Sequence, residues 1–137
     1  MPGIDIWDLY NALHDMDRST LNPIQRGLLS VCDLRQEVAS DGFNGYFSYW
    51  GGDSANEAAN ALPTLLGQGW ADILQEAMDL FGPIYPTDSV ARSSWIDSHS
   101  LVNTLNELDE RLYALEVETD ADLRLNEYIS RTPEATI

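Results

Sequence analysis

The sequence contains no lysine, and its seven basic residues are all arginine. Without lysine the chain cannot form the P-loop that binds nucleoside triphosphates. Against these seven bases stand 23 aspartates and glutamates, which give a formal net charge of −16. A charge of this size repels the phosphates of nucleic acids and anionic lipid surfaces. We therefore expect no direct binding to nucleic acid or to a membrane, and we expect any partner to present a basic surface.

Cysteine and long apolar runs are scarce as well. The single cysteine, Cys32, cannot form an internal disulfide, which agrees with a reducing compartment. Its neighbours Leu28, Leu29 and Val31 are apolar, so we expect Cys32 to pack in the core rather than to act as a nucleophile. No apolar run is long enough to span a bilayer, and the N-terminus lacks the features of a signal peptide. The sequence therefore predicts a cytoplasmic protein.

Catalytic and metal-binding motifs are also missing. The sequence has no H-E-x-x-H, no G-x-S-x-G, no G-x-G-x-x-G and no Cys-x-x-Cys. The two histidines, His14 and His99, belong to no Glu-x-x-His motif of a di-metal bundle. The loop that starts at Asp15 carries Thr20 and Arg26 where a calcium loop requires glycine and glutamate. We therefore expect no enzymatic activity, no metal and no cofactor.

Helical periodicity is present along most of the chain. No segment shows the two-residue alternation of a strand, and 137 residues are most simply one domain. The pattern predicts an all-α, single-domain bundle of about six to eight helices over residues 1–137, with 132–137 as a frayed tail. The longest regular pattern is a leucine seam typical of a bundle helix. Its members are Leu101, Leu105, Leu108, Leu112 and Leu115.

Local signals predict several helix boundaries. Asn22 followed by Pro23 is typical of a helix start. Asparagine caps the first turn, and proline fits the first helical position because no backbone N–H is needed there. Ser54 and Glu57 have the spacing of a capping box that opens a later helix. Pro63 should kink or end that helix, since it removes a backbone donor.

The stretch from Val38 to Trp50 is the richest in aromatic residues. It follows a helix and contains Gly42, which permits a turn. The stretch either fills the core or, with Tyr49 included, lines a pocket for a small ligand or substrate, and its helical spacing favours the core. The residues that share one face are Phe43, Tyr46, Phe47 and Trp50.

The excess of acids suggests that carboxylates of this protein could imitate the phosphates of DNA. Acids four residues apart on a helix are separated by ~6 Å, and B-DNA carries a phosphate every ~3.4 Å of axis on each strand. A rigid helical bundle can therefore present carboxylates where a DNA-binding protein expects phosphates. The alternative is that such acids form ordinary solvated faces and keep the protein soluble. The residues predicted to contact a partner are Asp33, Glu37, Asp72, Glu76, Asp79, Glu107, Asp109, Glu110, Glu116, Glu118, Asp120 and Asp122.

Four segments, in this order, resemble a bacterial family typified by DNA-mimic protein 19. They are V-A-S-D-G-F-N-G-Y-F, A-A-N-A-L-P-T-L-L-G, W-A-D-I-L-Q-E-A-M-D-L-F-G and L-N-E-L-D-E-R-L-Y-A-L-E. The resemblance runs from roughly Tyr10 to Thr132. This sequence departs from the family pattern at Ser40 and Asp41, where Asn-Gly is usual, and at Gly45, where glutamine is frequent.

The resemblance implies an all-α fold and a protein that occupies the DNA-binding surface of a partner. The first hypothesis is therefore an acidic DNA mimic that binds a basic transcriptional regulator or nucleoid protein. The second is an immunity or anti-defence protein that neutralises a basic nuclease or toxin by the same electrostatics. A neighbouring regulator gene would favour the first hypothesis and a neighbouring toxin gene the second. Whether the protein forms a homodimer is left open.

Overall fold

The computed structural model describes residues 4–136, and within that range every regular element is helical. The predicted all-α bundle is confirmed, and the number of α-helices lies within the expected range. None of the helices in this range is long and apolar enough to cross a membrane. The seven α-helices are α1 (Ile6–Leu13), α2 (Pro23–Ser48), α3 (Ala55–Leu65), α4 (Gln68–Asp79), α5 (Ser89–Ser98), α6 (Val102–Thr119) and α7 (Ala121–Ser130), and short 3₁₀ helices cover Arg18–Thr20, Trp50–Ser54 and Pro133–Thr136.

Helix α2 is the central element, since it contacts α1, α3, α5 and α6. Asn22 accepts a hydrogen bond from the Gln25 N–H at 2.8 Å, and the Gln25 side chain accepts one from the Asn22 N–H at 3.1 Å. Pro23 occupies the first turn, as predicted. Cys32 is fully buried, also as predicted, and burial raises the pKa of its thiol to about 12. Cys32 therefore carries no reactive thiolate at neutral pH.

A break at Gly42 divides α2 into a long and a short segment. Gly42 has φ of 72° and ψ of −178°, a conformation that is essentially restricted to glycine. The predicted turn is therefore confirmed. Beyond it, Phe43, Tyr46 and Phe47 are fully buried, and the ring centroid of Phe47 lies 4.9 Å from that of Phe81. The aromatic stretch fills the core at this point.

The prediction that Trp50 shares this buried face is wrong. The helix ends at Ser48, so Trp50 falls in the following 3₁₀ helix and is 56% exposed. Tyr49 is exposed to a similar degree, whereas Tyr46 is enclosed in the core. Tyr46, Tyr49 and Trp50 therefore do not line one pocket.

The predicted start of α3 is confirmed, because Ser54 is its N-cap residue, but two details of this helix were predicted wrongly. Ser54 accepts no capping hydrogen bond, and its hydroxyl lies within donor distance of the Gly51 carbonyl, at 3.3 Å, and of the Asp33 carboxylate, at 3.5 Å. Pro63 does not end its helix near Asn60. It is exposed in the last turn of α3, where the missing N–H costs a single bond close to the helix end.

The C-terminal segment is ordered against α2 rather than frayed. Pro133–Thr136 forms a 3₁₀ helix in which Ala135 is buried. The Asn22 side-chain amide donates to the Glu134 carbonyl at 2.8 Å, and that of Gln25 donates to the Ala135 carbonyl at 3.3 Å. The prediction of a frayed tail is therefore wrong for residues 132–136, and Ile137 lies outside the described residues.

Candidate protein-binding surface

Helix α6 packs against α4 on one side, and acids of both helices meet there. Glu76 and Asp79 of α4 line one surface depression of about 300 Å³ together with Glu107 and Arg111 of α6. Residues three or four positions apart on a helix are neighbours on its surface, which extends this set by one turn along each helix. We call the resulting set the α4–α6 acidic face: Asp72, Glu76, Asp79, Glu107 and Glu110.

One cation pairs with an acid of this face. The Arg111 guanidinium donates to both carboxylate oxygens of Glu76, at 3.0 and 2.6 Å. These hydrogen bonds hold the pKa of Glu76 below its usual value. Because both side chains are about half exposed, we expect the pair to contribute little to stability. Its main effect is to neutralise one of the five carboxylates.

The other four acids of the face are not paired with an arginine among the described residues. Asp72 and Asp79 accept hydrogen bonds from the neutral amides of Gln68 at 2.9 Å and Gln75 at 2.8 Å. These bonds fix the carboxylates in place without neutralising them. Glu107 and Glu110 are likewise exposed and, within residues 4–136, form no ion pair with an arginine. The face therefore presents four uncompensated carboxylates to solvent.

Two further acids, Glu116 and Asp122, surround Arg35, where α6 meets α7. The buried guanidinium donates two bonds to Glu116, at 2.7 and 3.0 Å, and one to Asp122 at 2.8 Å. Asp120 has φ of 50°, which turns the chain between the two helices. Two carboxylates around one guanidinium leave a negative charge. Glu118 and Asp120 are exposed in the chain between these two acids, and we call the four residues the α6–α7 acidic corner: Glu116, Glu118, Asp120 and Asp122.

Asp33 is enclosed inside the fold. It is 1% exposed, and its carboxylate accepts hydrogen bonds from the Tyr10 hydroxyl and the Arg18 guanidinium, each at 2.7 Å. Together these bonds join the loop after α1 to the middle of α2. The prediction that Asp33 presents its charge to a partner is therefore wrong.

Asp109 is also buried, at 8% exposure, and serves the break in α2. Its Oδ1 accepts a hydrogen bond from the Phe43 N–H at 2.7 Å and so caps the short aromatic segment from another helix. Its Oδ2 lies where a Cβ on Gly42 would stand. Burial raises the pKa of Asp109, and the hydrogen bond from Phe43 opposes this shift. The predicted partner contact at Asp109 is wrong for the same reason as at Asp33.

Glu37 is intermediate between the buried acids and the exposed ones. It is half-buried on α2, and burial raises the pKa of its carboxyl, assisted by the charges of Asp41 and Asp33. Of the twelve predicted contacts, Asp33 and Asp109 are thus enclosed, and three others are paired with arginine. The seven that stay uncompensated are Glu37, Asp72, Asp79, Glu107, Glu110, Glu118 and Asp120.

The arginines are largely used inside the molecule. Within residues 4–136, five of the seven form ion pairs with aspartate or glutamate, and Arg92 is fully buried. Arg92 pairs with Asp53 at 2.6 Å and donates to the carbonyls of Phe47 and Tyr49. Most of the positive charge is therefore paired with acids of the same fold, and the exposed Arg124 and Arg131 are outnumbered by the exposed acids.

Metal-binding groups were also sought in the described residues. In residues 4–136 no cluster of histidine, cysteine, aspartate and glutamate is arranged to hold a metal ion. His14 and Asp15 approach to 3.3 Å, but both side chains are exposed.

A groove beside the α6–α7 acidic corner was not predicted from the sequence. Trp7 of α1, Ala39 of α2, and Tyr113 and Val117 of α6 line it. An exposed valine and a tyrosine four residues apart among acids were a readable signal on α6. The participation of Trp7 was not readable, because it lies more than a hundred positions away in the chain.

Comparison with known families matches residues 19–132 to the family described as DMP19-like protein. No curated protein and no solved structure matches the chain significantly. The matched residues include α2 to α7, and with them the α4–α6 acidic face, the α6–α7 acidic corner and the break at Gly42. The match also agrees with the resemblance found in the sequence, and it covers far more than half of the chain. The chain belongs to the DMP19-like family.

Proposed function

We propose that the protein is a DNA mimic that occupies the basic DNA-binding surface of a partner protein and excludes DNA from it. The observation that carries this proposal is the separation of charge. Arginines pair mostly with acids within the fold, while the α4–α6 acidic face keeps four uncompensated carboxylates on two packed helices. Membership of the DMP19-like family supports the same function.

The helices would make this surface effective because they hold the carboxylates in fixed positions. Acids one turn apart are spaced at ~6 Å, on the scale of successive phosphates. Each carboxylate contributes little by itself at an exposed site, but several together steer a basic partner and raise its association rate. Binding would involve no covalent step. DNA would be excluded because it competes for the same cationic groups.

The test starts with capture of the partner. The full-length protein, immobilised at low salt, is exposed to an extract of its native host, and bound proteins are eluted with high salt. The proposal predicts a basic DNA-binding protein whose complex with DNA, followed by gel mobility shift, is disrupted by the purified chain. Capture of a nuclease or toxin would instead assign the neutralising role. A partner that keeps its DNA in the presence of the chain would contradict the proposal.

A matched pair of variants shows whether the proposed face is responsible. The first replaces Asp72, Glu107 and Glu110 by their amides. The control replaces one aspartate and two glutamates that are exposed outside this face, so that the net charge changes equally. The control residues are Asp97, Glu127 and Glu134. Only the first variant should lose the ability to displace DNA.

A further inference from the structure

A groove of about 650 Å³ runs between α2 and α6 and is closed at one side by α1. We call it the α2–α6 groove. Ala39 lies on its α2 side, with Tyr113 and Val117 on its α6 side and Trp7 on its α1 side. The Val117 side chain is 86% exposed, and Tyr113 is partly exposed. The groove is therefore an apolar surface that lies beside the acids paired with Arg35.

The aromatic walls of the groove are held in place. The Trp7 indole N–H donates to Asp122 at 3.0 Å, and the Arg35 guanidinium lies 5.4 Å from the ring centroid. The Tyr113 hydroxyl donates to the Val38 carbonyl at 3.0 Å. Walls fixed in this way lose little conformational freedom when a ligand binds. Tryptophan and tyrosine are also the residues that most often dominate the energy of protein interfaces.

Charge determines which occupant fits. Arg35, the cation that lines the groove, is paired with both Glu116 and Asp122, so this group is negative as a whole. Glu118 and Asp120 follow at the α6–α7 acidic corner. An occupant must therefore place apolar atoms in the groove and cationic groups at its edge. Phosphate mimicry alone gives no reason for such a groove, because it requires only carboxylates.

We propose that the α2–α6 groove receives apolar side chains from a basic amphipathic helix of the partner, while cationic side chains beside them contact the α6–α7 acidic corner. This inference rests on the proposed function, because the partner is the same basic protein. It adds a source of specificity. Acids alone attract many basic proteins, whereas an apolar pocket selects those with a matching side chain.

The test uses two synthetic helical peptides of equal length and equal positive charge. One carries leucine at positions i, i+4 and i+7 of one face, and the other carries glutamine there. Binding to the full-length protein is measured by fluorescence anisotropy of the labelled peptide between about 50 and 200 mM NaCl. The leucine peptide should bind about tenfold more tightly at each salt concentration, because its apolar atoms leave water. Equal affinities would overturn the inference.

Two valine variants provide the matched comparison. Val117→Gln changes the groove, whereas Val90→Gln changes an exposed valine on α5 that does not line it. Neither alters the charge, and both side chains are exposed, so folding is expected to survive and is checked by circular dichroism. Val117→Gln should reduce the preference for the leucine peptide to about twofold or less, and Val90→Gln should leave it intact. Identical behaviour of the two variants would contradict the inference.

The indole N–H signals of Trp7 and Trp95 locate the bound peptide. Both indoles are hydrogen-bonded, Trp7 to Asp122 and Trp95 to the Leu80 carbonyl at 2.9 Å, but only Trp7 lines the groove. The leucine peptide should shift the Trp7 signal in a ¹H–¹⁵N spectrum and leave that of Trp95 in place. A shift of Trp95 alone would overturn the inference.

The remaining outcomes separate this inference from the proposed function. Peptide binding that falls with salt but shows no preference for leucine would overturn the groove and leave the acidic surface standing. Binding that does not respond to salt would contradict the proposed function itself. A monomer–dimer equilibrium that shifts with Val117→Gln, without an effect on peptide binding, would overturn the inference and assign the groove to a second copy of the chain.

Discussion

Asp109 and Glu110 are consecutive residues of α6, and the fold uses them in opposite ways. Asp109 is enclosed and caps the aromatic segment through Phe43, whereas Glu110 is exposed on the α4–α6 acidic face. A similar contrast separates Asp33 from Glu37, one turn apart on α2. The net charge of −16 therefore has two components. The inner acids hold helices together, and the outer acids leave charge available to a partner.

The largest loss of stability is expected at Gly42, whose backbone lies against the buried Asp109. Gly42→Ala should lower the free energy of unfolding by about 4 kcal/mol, because the new Cβ strains the backbone and displaces the buried Asp109 carboxylate. Urea denaturation measures the change. Gly67→Ala is the control, since Gly67 also has a positive φ, of 121°, but a Cβ added there would meet no other part of the chain within 4 Å. Equal losses in the two variants would show that Asp109 plays no part.

The next largest effect on stability is expected at Asp33, in comparison with Glu37 on the same helix. Asp33→Ala should cost about 3 kcal/mol, because it leaves the Arg18 guanidinium and the Tyr10 hydroxyl without their buried acceptor. Glu37→Ala should cost less than about 0.5 kcal/mol, since Glu37 lies at the edge of the core. Thermal and urea unfolding should give the same order. If Glu37 proved as costly as Asp33, the division into inner and outer acids would fail on this helix.

A smaller effect is expected in the pH dependence of stability, to which Asp109 and Glu76 contribute with opposite signs. Burial raises the pKa of Asp109, so the folded state binds its proton more tightly, and this contribution to stability falls as the pH rises. Arg111 lowers the pKa of Glu76, so that contribution is present above the unfolded pKa and is lost as the pH falls through the folded pKa. Between about pH 6 and pH 4, wild type should therefore gain stability relative to Asp109→Asn and lose stability relative to Glu76→Gln. Shifts of the same sign in both comparisons would contradict these assignments.

The smallest effect on stability is expected at the outer acids. Replacing Asp72, Glu107 and Glu110 by their amides should change the free energy of unfolding by no more than about 0.5 kcal/mol per site, because these side chains are exposed. Any change should favour the variant at low salt, since it removes repulsion between like charges. A large loss of stability in urea would place these acids with the inner component.

Much of this division could be predicted from the sequence. The helical pattern predicted the fold, and the spacing of acids predicted the exposed stripe on α4. Burial of Asp33 and Asp109 was also readable in part. Asp33 interrupts an apolar run after Cys32, and Asp109 lies one turn after Leu105, on the same side of α6 as the seam. An acid within an apolar pattern more often has a structural role inside the fold than a role at the surface.

The remaining features depend on contacts between distant parts of the chain. Asp109 caps Phe43 across 66 positions, and Arg35 reaches Glu116 across 81. No local signal identifies which arginine will neutralise which acid. The seven uncompensated acids could therefore be separated from Glu76, Glu116 and Asp122, which pair with arginine, only once the helices were placed.

The most direct test of the central claim is the salt dependence of partner binding. Affinity for the captured DNA-binding protein is measured across a range of NaCl concentrations for the wild type and for the two triple variants described above. The account predicts a steep fall in affinity with salt, a shallower slope for the variant at Asp72, Glu107 and Glu110, and an unchanged slope for the control at Asp97, Glu127 and Glu134. Equal slopes for the two variants, or binding that does not depend on salt, would contradict the claim that the outer acids of α4 and α6 form the binding surface.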